Sequence, residues 1–329
     1  MRTLRFVAAF ALVAAVAFAA CGSPSIGSGG PKRRLSIATG GTGGVFYPYG
    51  GGIAKVITEH LPNTEATAEV TAASVDNLKF LKQGASDLAF TMADMAQDAV
   101  TGRDVFSDFG TVPVRALAVL YSSYSHLVAR ADAGISTIAD LRGRVVSTGA
   151  AGSGTTVIAR RILLAAGLDP SRDIREQSLG VAQSVDAIKD GKIDAFFWNG
   201  GLPTASILDL VNTPGVKTNF IATDTQLPRL EQMFGPSLYF RDTIPRATYN
   251  NDAEIAVVAV NNLLVASLEM SEALAHDITQ VLFDQQAELA AIHPQAKTLS
   301  LKTAIAGSPV PFHPGAIRFY RERNAWTAP

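Results

Sequence analysis

Cysteine is almost missing from this chain: Cys21 is the only one in 329 residues. That excludes an intramolecular disulfide framework and any zinc site built on several thiolates. Charge is also sparse, at 17% of residues, below the ~25% of an ordinary globular domain. With 47% hydrophobic residues, this composition excludes a disordered chain. Neither sign predominates: 28 basic against 29 acidic side chains give a net charge of −1, without the basic excess of a nucleic-acid binder. Signatures of catalysis are missing as well. No GK[ST] follows a Gly-rich loop, no GxGxxG carries the acidic partner of a dinucleotide site, and neither HExxH nor a GxSxG elbow occurs. The five histidines (His60, His126, His276, His293, His313) are scattered without ligand spacing. The expectation is therefore a protein that is not an enzyme and has no catalytic residues, cofactor or metal.

What is present begins at the N-terminus. Arg2 and Arg5 precede an unbroken apolar run of fifteen residues, Phe6 to Ala20, too short for a span of about 18–20 residues but laid out like an export signal. The run ends in Phe18-Ala19-Ala20-Cys21-Gly22. This resembles the lipobox of bacterial lipoproteins, with Phe18 where Leu is usual. Residues 1–20 then read as a signal peptide, Cys21 as the lipidation site, and 21–33, rich in Gly, Ser and Pro, as a flexible tether. No later segment is long and apolar enough to cross a bilayer. The mature protein is expected outside the cytoplasm, on the periplasmic face or outer leaflet, held to the membrane by the lipid anchor only. The alternative is a soluble secreted protein cut after Ala20.

The rest of the chain shows a strand–loop–helix unit twice. Leu35–Thr39 is a short apolar strand running into Gly40-Gly41-Thr42-Gly43-Gly44, with a helix from about Pro48. A second copy starts 109 residues later: strand Arg144–Thr148, loop Gly149–Gly154, helix from Thr155 to Gly167. Ser74-Val75-Asp76 and Ser184-Val185-Asp186 each open a further helix, followed by strands from Asp87 and Asp194. Such alternation predicts an α/β protein with mostly parallel sheets and ligand loops at the strands' carboxyl ends. A buried-strand run, Ile255–Val260, and a helix capped by Ser271 follow.

A Gly-rich loop between strand and helix exposes backbone N–H groups at the positive end of a helix and suits an anion. Thr42, Ser153 and Thr155 add hydroxyls. Tyr47, Tyr49, Tyr121, Tyr124 and Trp198 lie near the loops and read either as core or as pocket walls. Asp76, Asp87, Asp186 and Asp194 read as caps at element starts rather than as an acid–base pair.

The stretch Ile37–Gly50 (IATGGTGGVFYPYG) resembles the opening motif of TAXI proteins, the TRAP-associated solute-binding group. So do Ser74–Leu78, Asp87–Asp94, Asp140–Gly143, Gly149–Thr155, Asp190–Pro203 and His313–Tyr320. The likeness runs from about residue 35 to 322. It implies a two-lobed periplasmic-binding-protein fold with two hinge crossovers, each lobe a mostly parallel sheet flanked by helices. Lobe 1 is 34–122 plus 255–329 and lobe 2 is 123–254, with crossings near Leu120–His126 and Thr248–Val257. It further implies a monomeric receptor that takes a small anionic or zwitterionic solute, a glutamate- or glutamine-like amino acid or a dicarboxylate, and passes it to the membrane subunits of a TRAP transporter, possibly fused. The expected ligand contacts are Thr39, Gly40, Thr42, Gly43, Gly44 and Tyr47 from one lobe. Ser153, Gly154, Thr155, Trp198 and Asn199 come from the other, and Asp94 is expected to take a ligand ammonium. A sensor for a membrane histidine kinase uses the same fold; an extracytoplasmic hydrolase is the remaining alternative.

Overall fold

The computed structural model describes residues 32–326; residues 1–20, read above as an export signal, Cys21 and nearly all of the segment read as a tether lie outside them. Ten strands form one continuous sheet: β1 Arg33–Ala38, β2 Thr64–Glu69, β3 Leu88–Met92, β4 Val114–Arg130, β5 Val145–Ser147, β6 Arg175–Gln177, β7 Ala195–Gly200, β8 Thr218–Phe220, β9 Phe240–Ile244 and β10 Ile255–Ser267. The helices that matter below are α1 Phe46–His60, α2 Ser74–Gln83, α3 Ala93–Thr101, α4 Gly154–Ala165 and α5 Val181–Lys189.

The repeat seen in the sequence is a repeat in space. β1, α1, β2, α2 and β3 give three parallel strands in the order β2-β1-β3. β5, α4, β6, α5 and β7 give the same arrangement, β6-β5-β7. Even a side-chain clamp recurs. Asp87 accepts the Ser36 N–H at 2.8 Å, and Asp194 accepts the Val145 N–H at 2.8 Å. These two aspartates therefore act at strand starts, each tying its strand to a neighbour. The Ser-Val-Asp pair, in contrast, is not equivalent: Ser74 opens α2, whereas Ser184 lies one turn inside α5, which already starts at Val181.

Between the two units run the long antiparallel strands β4 and β10, 17 and 13 residues. Their apolar runs are long enough to serve both halves. β10 pairs with β9 from Ile255 to Ala259 and with β3 from Asn262 to Ala266. β4 pairs with β7 and β8 only from Tyr124 onward. The passage between halves thus falls where Ala259–Asn262 faces Tyr121–Tyr124, a few residues later along β10 than the sequence suggested. There Asn262 Nδ2 donates to Tyr121 O and Ser123 Oγ.

Burial differs on the two sheet faces. On the α2, α3 and α4 side a single apolar core runs through both halves, from Leu78 and Met95 to Ile158 and Phe197. On the other side two separate cores form, one under α1 and the C-terminal helices and one under α5. A cleft can therefore exist only where the halves are not fused by that shared core.

Candidate functional site

The cleft encloses a cavity of about 400 Å³ at the carboxyl ends of the parallel strands. Four helices start at its wall, α1 and α2 from one half, α4 and α5 from the other. Their N-cap residues, Val45, Ala73, Ser153 and Gly180, all line it. Only Ser153 has a side chain that caps, accepting the Thr156 N–H at 3.2 Å. Val45, Ala73 and Gly180 offer no side-chain cap. Cap positions favour Ser, Thr, Asp or Asn because first-turn N–H groups need an acceptor. Three of the four starts at this one cavity thus lack a side-chain acceptor, although the Asp76 N–H of α2 is taken by Gly152 O at 3.1 Å, and helix starts of this kind suit an anion.

Local sequence explains the placement. Asn77 in α2 donates to Thr39 O and Phe90 O at 2.7 and 2.8 Å, and its Oδ1 accepts from Thr71 Oγ1. Thr71 Oγ1 in turn accepts the Ala73 N–H at 3.0 Å. One buried amide thereby fixes the ends of β1 and β3 and the turn into α2. Ala73 itself has φ 96° and ψ −147°, a region costly for any residue with a Cβ. Relief of that strain predicts that Ala73→Gly raises unfolding free energy by about 1 kcal/mol in urea titration; a loss of stability contradicts the reading.

The glycines of the first loop act by close approach. A Cβ on Gly44 would lie 2.8 Å from the Trp198 indole across the cleft, and one on Gly43 would collide with Ser206 Oγ. Ser206 donates to Gly43 O at 3.2 Å. Trp198 is itself held by Nε1 donating to Thr204 Oγ1 at 2.9 Å. A further cross-cleft bond runs from Gln295 Nε2 to Leu202 O at 2.5 Å. The two halves therefore touch around the cavity.

Of the residues expected from sequence, Gly40, Gly44, Ser153, Thr155, Trp198 and Asn199 line the cavity together. The others do not. Thr39 is fully buried and its hydroxyl donates to Glu69 O. Thr42 is exposed, and Tyr47 faces a shallow groove beside Lys55 on the outer side of α1. Gly43 and Gly154 are packing positions, the latter against Met92 and Ser74. Asp94 is fully buried and bonded to Arg161 and Tyr239, away from the cavity. Its carboxylate is already engaged by those donors. Burial pushes Asp94 up to about 6, against the pull of Arg161 and the Tyr239 hydroxyl.

Sequence reading missed Thr71–Ala73 and Ser178–Val181, which supply the α2 and α5 turns. Neither stretch has a Gly-rich signature of the kind that marks α1 and α4. No histidine is among the lining residues: His293 and His313 cap the turns that follow them, His276 pairs with Glu322 and His60 with Glu288. His126 is fully buried, and burial pushes its imidazole down to about 4.

A family model described as NMT1-like matches residues 37–323. The chain belongs to the NMT1-like family. Among solved structures, the binding-protein component of an ABC phosphonate transporter from Pseudomonas aeruginosa is 11% identical, covering 80% of this chain and 79% of that one with a TM-score of 0.53. A protein of Bordetella bronchiseptica RB50 is 18% identical, covering 90% of both chains, TM-score 0.51. The aliphatic sulphonate-binding protein of Escherichia coli aligns at 16% identity over 88% and 83%, TM-score 0.44. The first two share the architecture of this NMT1-like chain, which is the periplasmic-binding-protein fold.

Proposed function

We propose that this NMT1-like protein is an extracytoplasmic solute receptor that captures a small anionic solute in the cleft and hands it to a membrane transporter. The observation that carries the reading is the convergence of four helix N-termini, two from each half, on one cavity. An anion bound there contacts both halves at once, so binding favours the arrangement in which they touch. Lobe 1, residues 34–122 with 255–329, and lobe 2, residues 123–254, would rotate about the middle of β4 and β10. Gly40, Gly44, Ser153, Thr155, Trp198 and Asn199 are the ligand contacts of this reading. Asn199 is well placed for it: Oδ1 accepts from Ser125 Oγ at 2.5 Å, while Nδ2 has no partner within the protein.

The membrane partner proposed from the TAXI resemblance is a TRAP transporter, with Cys21 carrying a lipid that keeps the receptor beside it. Glutamate- or glutamine-like amino acids and dicarboxylates are the solutes that resemblance favours. A hydrolytic role finds no support in the cleft, whose lining holds no histidine, carboxylate or lysine to serve as a base.

Native mass spectrometry of freshly purified protein tests the receptor reading. The expected result is a non-covalent small acid bound one to one and released on denaturation. Protein free of solute that also fails to respond to small acids in thermal-shift assays contradicts it. The choice of transporter is tested separately. Vesicles holding the TRAP membrane subunits should accumulate the recovered solute only when the receptor is added.

A further inference from the structure

We infer that the cleft takes a monoanionic organic acid with an apolar body and discriminates against the corresponding amino acid. The inference rests on the receptor reading above, keeps its anionic solute, and departs from the amino acids and dicarboxylates that the TAXI resemblance favours. Two independent features of the lining carry it.

The first is a one-sided charge environment. The cavity presents the starts of four helices, three without a side-chain cap, and is lined by Asn199, a residue only 5% exposed whose Nδ2 has no partner within the protein. These are donors and partial positive charges. No aspartate or glutamate is among the lining residues. Of the acidic groups close in sequence to the lining loops, Glu69 is exposed and accepts from Thr67 Oγ1, and Glu176 accepts from Thr148 Oγ1 and Arg160 Nε. Asp94 is bonded to Arg161 and Tyr239. Asp76 sits in the first turn of α2 beside Gly152, where its charge complements the helix start. An ammonium brought into the cleft would lose its hydration beside helix starts of the same sign, with no carboxylate to receive it.

The second feature is the wall. Phe46, Tyr121, Trp198, Val70, Met92 and Leu179 surround the donors with apolar surface. No arginine or lysine lines the cavity, so one anionic head is matched by backbone donors and a second charge has no counterpart. A hydrocarbon or aromatic body removes apolar surface from water there; a second carboxylate is desolvated without return.

Two ligand pairs that differ by a single ammonium group test this, using isothermal titration on the full mature protein stripped of retained solute. They are 3-phenylpropanoate against L-phenylalanine, and glutarate against L-glutamate. The expected result is at least tenfold tighter binding of each amine-free acid, with 3-phenylpropanoate the tightest of the four. Amino acids that bind as tightly as their amine-free partners overturn the inference while leaving the receptor reading intact. No binding by any of the four also overturns it, and the receptor reading then rests on the solute detected by native mass spectrometry. Gln183→Glu supplies a second readout. Gln183 lines the cavity in the first turn of α5, is exposed, and accepts a carboxylate there without disturbing the fold. It should weaken 3-phenylpropanoate at least fivefold and shrink the gap to L-phenylalanine; an unchanged gap contradicts the charge argument.

Discussion

Arg161→Met unfolds at markedly lower urea concentration than the parent protein, with a loss of about 3–5 kcal/mol, the usual cost of removing one partner from a buried ionic cluster. Arg161 projects from α4 and is 3% exposed. It donates to Asp94 at 3.3 Å, to the Tyr239 hydroxyl at 2.8 Å, and to Asp98 and Asp104 at 2.5 Å each. Its guanidinium also lies over the Phe234 ring, 4.4 Å from the centroid. Without it, the buried carboxylates of Asp94 and Asp98 face each other in the low-dielectric interior, with the exposed Asp104 at its edge. Asp94 and Asp98 are already pushed up by burial even with the arginine present. The loss should therefore be smaller in Arg161→Met combined with Asp94→Asn and Asp98→Asn, since the stranded charges are gone. Equal losses in the single and triple variants would mean that packing, and not charge, is the function of the cluster. Because Arg161 belongs to the second half and its three aspartates to the first, the cluster also fastens the halves on the side of their shared core. In the closure proposed above, bending would then fall within β4 and β10, with α4 staying against α3.

Gly44→Val lowers solute affinity on the order of 100-fold, or ~2.7 kcal/mol, while changing unfolding free energy by less than about 1 kcal/mol. The added Cβ would lie 2.8 Å from the Trp198 ring, and that ring is held by its bond to Thr204. The clash exists only when the halves touch, so the open form tolerates the substitution and the solute must supply the energy to overcome it. Affinity measured by titration calorimetry, set beside urea unfolding of the solute-free variant, separates the two effects. A variant that binds normally would show that the halves need not meet at Gly44 for capture. One that unfolds as readily as it loses binding would show that Gly44 serves stability alone.

The sequence made some parts of this molecule legible and hid others for physical reasons. Local chemistry was readable. The Gly-rich loops before α1 and α4, the Ser271 cap, and the glycines ending α2 and α5 at Gly84 and Gly191 are all short-range signals. The repeat followed from them, and with it the two parallel triplets. The site was half legible. Gly44 and Ser153 stand in loops with a recognisable turn chemistry, but Val45, Ala73 and Gly180 cap nothing with their side chains and so carry no sequence mark. Their meaning comes from the absence of a cap, visible only when four helix starts are seen at one cavity. Thr39, Thr42 and Tyr47 illustrate the opposite error. Side chains next to a glycine loop in sequence point to three different places, because the strand-to-helix turn rotates each successive residue to another face. Asp94 was unreadable in its true role: its partners Arg161 and Tyr239 are 67 and 145 residues away. Long-range ion pairs leave no periodicity to detect.

The central claim is that one anion is gripped by helix starts from both halves. Proton–nitrogen correlation spectra of isotopically labelled protein, titrated with the solute recovered from it or with 3-phenylpropanoate, test that most directly. The account predicts that the amides opening all four helices, at Phe46, Ser74, Gly154 and Val181, shift together and saturate at one equivalent. Shifts confined to α1 and α2, or to α4 and α5, or lying away from these four turns, would contradict it.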